Sequence, residues 1–235
     1  MINEILFPPT CIGCGSFGIS LCEYCGRSMR EITQDWCLSC GNKTKIDNIC
    51  HICLDKKEVM SIFAFWYYEK VVAKIIQAIK YKKDKRLIFD LLRYINPQTL
   101  SKIIILKDKY PNSFLVPVPL HSEREKERGF NQSRLIAESL GLLVNIKVCN
   151  NLVIRVKNTT PQARCTSKLQ RIHNTQNAFA VNNNVLQDKT IIIVDDVITT
   201  GSTTREIARQ IHKINRKSNT LTICLGREET PKENW

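Results

Sequence analysis

Hydrophobic positions fall into three regimes along the chain. Through the first 55 or so residues no strand or helix period is visible. From Val71 onward, Val71, Val72, Ile75, Ile76 and Ile79 recur at helical spacing and predict an amphipathic helix. Further on, short apolar runs rich in β-branched residues predict strands near 113–118, 143–148, 190–195 and 219–225. Amphipathic segments near 131–141, 167–176 and 202–214 alternate with them, the last carrying Ile207, Ala208, Ile211 and Ile214. Alternation of this kind is the signature of the α/β class. Two prolines, Pro117 and Pro119, cut the 113–118 run short, because proline donates nothing to a ladder. Gly129 suits a turn, and Asn131 suits the N-cap of the helix behind it.

A chain of 235 residues is long enough for one sizeable core and a small satellite. It contains no apolar run of membrane-spanning length, and its start carries an acid and resembles no secretory leader, so a soluble cytoplasmic protein with no membrane insertion is expected. The net charge of +13 is unevenly placed: residues 1–60 hold six Lys/Arg against seven Asp/Glu, residues 61–235 hold 29 against 15. The densest stretch, residues 70–109, includes Lys80, Lys82, Lys83 and Arg86, and is bordered or interrupted by Phe63, Phe65, Trp66, Tyr67, Tyr68, Tyr81, Phe89 and Tyr94. Basic grooves with stacking rings bind single strands without regard to sequence. The same lysines also fit the solvated side of the helix that starts near Val71.

Eight of the eleven cysteines form four Cys-x-x-Cys pairs: Cys11/Cys14, Cys22/Cys25, Cys37/Cys40 and Cys50/Cys53. Each such turn offers two thiolates to one ion, and two turns complete a tetrahedral site. Eight ligands predict two structural zinc ions, the simplest arrangement being sequential, with interleaving the alternative. His51 is a bystander on this reading. The metal is needed because a stretch without apolar periodicity has little else to fold around.

The richest chemistry lies at 190–204. Ile191 to Val194 form a buried strand that ends in Asp195 and Asp196; Thr199, Thr200, Gly201, Ser202 and Thr203 then open a helix. A hydroxyl-rich turn with a glycine at a helix start aims N–H and O–H donors at a phosphate. Two carboxylates one loop away suit ribose hydroxyls or a hydrated divalent cation. A P-loop ATPase would need a G-x-x-x-x-G-K-[ST] string upstream, which the sequence lacks. At every position from Ile191 to Thr203 the run resembles the phosphoribosyl-pyrophosphate (PRPP) motif of type I phosphoribosyltransferases.

Pro117-Val118-Pro119-Leu120, then Arg128-Gly129-Phe130-Asn131-Gln132, then Arg155 to Gln162 extend the likeness to nearly the whole chain. Together with the Cys-x-x-Cys start they resemble the ComF family of competence proteins and its GntX relatives. That resemblance implies a double zinc ribbon over 1–57 and a phosphoribosyltransferase-like domain over 58–235, with a mainly parallel sheet covered by helices on both faces. It implies PRPP with Mg²⁺ at Thr199–Thr203 and the two acids, with Arg124, Arg128, Asn131 and Gln132 toward pyrophosphate or a DNA backbone. Arg155 to about Arg171 corresponds to a loop that covers the site, and Arg171 and Asn174 carry over loosely. The function implied is handling of single-stranded DNA during natural transformation, with a helicase or uptake channel as partner. Alternatives are a working phosphoribosyltransferase with Asp195 and Asp196 as its acids, and an adaptor or PRPP sensor docking through the ribbons.

Overall fold

The computed structural model describes residues 8–37, 40, 42–44, 61–159, 167–182 and 189–229. Two short strands, β1 (Asp35–Trp36) and β2 (Lys43–Thr44), follow helix α1 (Glu23–Arg27). Strand β3 (Ile62–Tyr67) leads into α2 (Lys70–Gln77), which continues as a π turn over Ala78–Lys82. Helices α3 (Arg86–Leu92) and α4 (Pro97–Lys109) come next, then β4 (Ser113–Pro117), α5 (Ser122–Arg128), α6 (Gln132–Val144) and β5 (Lys147–Val148). The hairpin strands β6 (Val153–Arg155) and β7 (Phe179–Val181) flank α7 (Lys168–Thr175). Last come β8 (Thr190–Ile198), α8 (Ser202–Ile214) and β9 (Asn219–Arg227).

Seven strands form one sheet in the order β2-β1-β3-β9-β8-β4-β5, parallel from β3 to β5 and antiparallel at the β1 and β2 edge. Alternating side chains of the central strands feed two cores. Ile192 and Val194 of β8 pack toward Ile136, Ala137 and Leu140 of α6, with α2, α3 and α4 on the same face. Ile191 and Ile193 pack toward Ile207, Ala208 and Ile211 of α8, with the β6–β7 pair beside them. Helices cover both faces, as expected.

Several boundaries shift for local reasons. The segment near 143–148 is not one strand: α6 runs on to Val144, Asn145 caps it at φ 53°, and only Lys147–Val148 pair with β4. Pro117 does sit in the ladder, opposite Val194. Val118 N–H bonds Val194 on the β8 side while Leu115 C=O accepts from Cys149 on the other, so the missing donor of Pro117 faces where β5 has already turned away. The aromatic run beside the basic stretch is a core strand: Phe63, Phe65 and Trp66 are 2% exposed or less, so these three rings are not available for stacking on bases. Tyr81 and Phe89 remain exposed.

The Cys-rich segment is built into the same molecule. Its Cys11, Leu21, Cys25 and Met29 join the core that holds Phe63, Ile88 and Leu91, and β1 pairs with β3. Arg30 bonds both Glu69 and Glu229 and lies 3.7 Å over the Tyr67 ring. The boundary expected at 57/58 lies outside the described residues. No helix among the described residues is long and apolar enough to cross a membrane.

Candidate functional site

The carboxyl ends of β4 and β8 open into a cleft of about 210 Å³. Gly201 turns the chain at φ 70°, which costs a glycine little, and starts α8. Thr204 Oγ1 donates to Gly201 O over 3.1 Å, and Arg205 side-chain N–H donates to Thr200 O, so the turn is fixed from behind. Thr199, Gly201, Ser202 and Thr203 line the cleft, with the start of a 13-residue helix aimed into it. That places a positive dipole end and backbone donors where an anion fits.

Asp195 and Asp196 line the same cleft. Ser133, at the start of α6, donates to Asp195 Oδ1 at 3.1 Å, and the Asp196 N–H donates to the same oxygen at 2.9 Å. Burial and the neighbouring Asp196 charge push the Asp195 carboxyl up to about 7, against the opposing pull of Lys80 and these two hydrogen bonds. Asp196 shares the strand parity of Val194 and therefore faces α2. Its oxygens meet Lys80 Nζ at 2.9 and 3.0 Å, in a pair whose side chains are 7% and 23% exposed. Burial works against the Lys80 ammonium, but the Asp196 carboxylate outweighs it and holds it charged.

The opposite wall carries Arg124, Arg128 and Gln132. Arg128 donates to Gln132 Oε1 at 2.9 Å, and Arg124 to Thr159 O. Asn131 is buried instead: its Oδ1 caps α6 through Ser133 N–H at 2.9 Å, and its amide donates to Val118 O. It positions the wall and does not line the cleft. Arg155 and Arg171 also line it, with Glu228 3.9 Å from Arg171. Burial, then repulsion from Arg124, lowers Arg155 to about 10. Lys80 lies with the acids, whereas Lys82, Lys83 and Arg86 line a second hollow, against Pro9, Thr10, Ile12 and Ser20 near the first Cys-x-x-Cys turn.

Ser133, Tyr68 and Tyr81 line the cleft without having been singled out for it from sequence. Ser133 is signalled only by its place two residues after the Asn131 cap; the tyrosines are signalled only as rings beside the basic stretch, and the π turn that brings Tyr81 round has no sequence signature. At Asp196 a divalent ion would have to compete with Lys80, whose Nζ lies beside both carboxylate oxygens.

The sulfurs of Cys11, Cys14, Cys22 and Cys25 all lie within 4.8 Å of one another, with Cys22 Sγ 3.5 Å from Cys11 Sγ and 3.7 Å from Cys14 Sγ. Tetrahedral zinc with Zn–S bonds of about 2.3 Å spaces its sulfurs by about 3.8 Å. The donor set fits structural zinc, and the first two pairs share one site, as in the sequential arrangement. Burial and the three neighbouring thiols push Cys25 up to about 12, so the four sulfurs do not ionise together without a cation among them. Cys37 is buried and packs against Cys40; Cys50, His51 and Cys53 lie outside the described residues.

The sequence matches the family model of the double zinc ribbon domain over residues 2–54. It is similar to Competence protein F of Haemophilus influenzae, 32% identical, the match covering 87% of this chain and 84% of the relative. Competence protein ComFC of Bacillus subtilis is 28% identical, with 88% and 84% covered. DNA utilization protein YhgH of Escherichia coli K12 is 29% identical, with 91% and 92% covered. The first of these relatives is more than 30% identical over most of both chains, and on that likeness the chain belongs to the ComF family.

Proposed function

We propose that the cleft holds a phosphoribosyl group, PRPP or the sugar-phosphate of a DNA strand, and that the protein handles incoming single-stranded DNA in natural transformation. The carrying observation is that Asp195, Asp196, Thr199, Gly201, Ser202 and Thr203 share one cleft with Arg124 and Arg128, Thr200 not lining it. The turn suits the 5′-phosphate, the acids suit ribose hydroxyls, and the arginines offset charge on pyrophosphate or the next backbone phosphate. Two further facts support the DNA side. The basic excess of residues 61–235 exceeds what one small ligand requires, and similar proteins carry competence and DNA-utilization names.

The test is a fluorescence-anisotropy titration of labelled single-stranded DNA, repeated with excess Mg²⁺-PRPP. Salt-sensitive binding that PRPP displaces is expected. DNA binding that PRPP leaves untouched would move the strand out of this cleft, and no binding near physiological salt would remove the DNA role.

A second reading, phosphoribosyl transfer, is favoured by Asp195, whose carboxyl near 7 suits taking up a proton from a neutral acceptor. The bond from ribose C1 to pyrophosphate would break as the acceptor nitrogen bonds C1, pyrophosphate leaving with the bonding pair. Pyrophosphate release in an acceptor screen tests it.

A further inference from the structure

We propose that Lys80 is the resident cation of the cleft, standing where a divalent ion would otherwise sit on the acid pair, and that it positions the phosphoribosyl ligand directly. This rests on the reading above for the identity of the ligand, but not for the role of Lys80 at the acids.

Three observations carry it. Lys80 Nζ lies 2.9 and 3.0 Å from the two oxygens of Asp196, a side-on approach that puts a full positive charge at the carboxylate edge where a divalent ion would bind. Asp195 is already committed through one oxygen to Ser133 and to a backbone N–H. The lysine is also aimed by an unusual device: α2 loosens into a π turn over Ala78–Lys82, which ends at Lys83 with φ 59°. Lys83 Nζ bonds Glu127 O at 2.7 Å and pins the end of that turn to α5. π turns recur where a helix must redirect one side chain into a site. Ala78 and Ile79 anchor the turn in the core while Lys80 and Tyr81 enter the cleft.

An ammonium is a compact point charge with three donors. Asp196 takes up part of that donor capacity, and a ribose hydroxyl or pyrophosphate oxygen arriving beside the acid is within reach of the rest. Ligand binding then draws on a protein cation at the acids, and a directly bound metal is superfluous there.

The experiment uses the full zinc-loaded chain in chelator-free buffer and Mn²⁺ alone as first probe, followed by electron paramagnetic resonance. The wild type should show no Mn²⁺ site that Asp196→Asn removes, whereas Lys80→Met should gain one per chain and Lys80→Arg should not. A wild-type Mn²⁺ site lost on Asp196→Asn would overturn the proposal even if Lys80→Met fails to fold. The second probe is PRPP by calorimetry. Wild-type affinity should change little between Mg²⁺-free and Mg²⁺ buffers, while Lys80→Met should weaken about tenfold or more without Mg²⁺ and recover with it. PRPP binding equally well to Lys80→Met in Mg²⁺-free buffer would also overturn it. Failure of PRPP to bind the wild type in either buffer would instead sink the phosphoribosyl reading, with the Mn²⁺ result still deciding the role of Lys80.

Discussion

At the scale of single residues, the site is a balance of two acids against one lysine, and Asp195 is the member that bears the cost. Its carboxyl titrates near 7 against an ordinary 3.8, because burial and Asp196 disfavour its charge. The folded protein therefore binds a proton here that the unfolded chain has released throughout that interval. Stability contributed by this group falls as pH rises from about 4 to about 7 and stays low above it. Asp195→Asn removes the charge yet keeps an acceptor for Ser133. It should stabilise the protein at pH 8 by about 1–2 kcal/mol, discounted because the side chain is only partly buried, or about 3–6 °C. The gain should shrink toward pH 4. Thermal melts of both proteins across that range check it, and a pH-independent difference would mean that Asp195 is not the strained group.

Single elements are where sequence and structure part company most instructively. The run from Thr190 to Ile214 was legible because local rules agree there: an apolar strand, a glycine with positive φ, hydroxyls at a helix start, and a 3.6-residue period behind. The first zinc site was legible because Cys-x-x-Cys spacing encodes its own geometry. What stayed hidden depends on distant partners. Ile62–Tyr67 became a core strand through pairing with β9, more than 150 residues away in sequence, which no local pattern announces. The β6–β7 pair exists because Leu152, Val153, Ala178 and Phe179 find α8. Lys80 looked like a solvated-face lysine or a DNA contact, and only the π turn brings it to Asp196. The cysteine turn also makes a demand that spacing alone did not reveal. A Cβ on Gly13 would lie 2.5 Å from Cys25 Sγ and 2.9 Å from Cys25 Cβ. Gly13→Ala should therefore push one ligand off the tetrahedron, lowering bound zinc from this site and destabilising the fold by about 2 kcal/mol or more. Metal analysis together with denaturant melts measures both, and full zinc content with unchanged stability would remove the crowding argument.

For the whole molecule, the zinc segment and the α/β domain share one core, and this decides how metal loss spreads. Cys11, Leu21, Cys25 and Met29 pack with Phe63, Val72, Ile88 and Leu91, and Tyr94 lies so close to α1 that a Cβ on Gly26 would meet its ring at 2.4 Å. Lys74 Nζ reaches Gly13 O at 2.9 Å, so α2 is tied to the first cysteine turn directly. That helix carries the π turn and Lys80. A segment whose folding energy comes from its metal thus braces the wall of the cleft. Stripping zinc should do more than unravel a tail: amide hydrogen exchange should rise across residues 70–92 as well as 8–37, and Lys80 should lose its fixed place at Asp196. The β8–α8 side, held by Ile191, Ile193, Ile207 and Ile211 in the other core, should keep its protection. Exchange measured with and without chelator at one pH distinguishes the cases. Faster exchange confined to 8–37 would make the ribbon an independent module resting on the cleft, whereas loss across both cores would mean the sheet transmits the collapse. The expected intermediate pattern makes zinc a structural determinant of the ligand site some elements away, through packing alone.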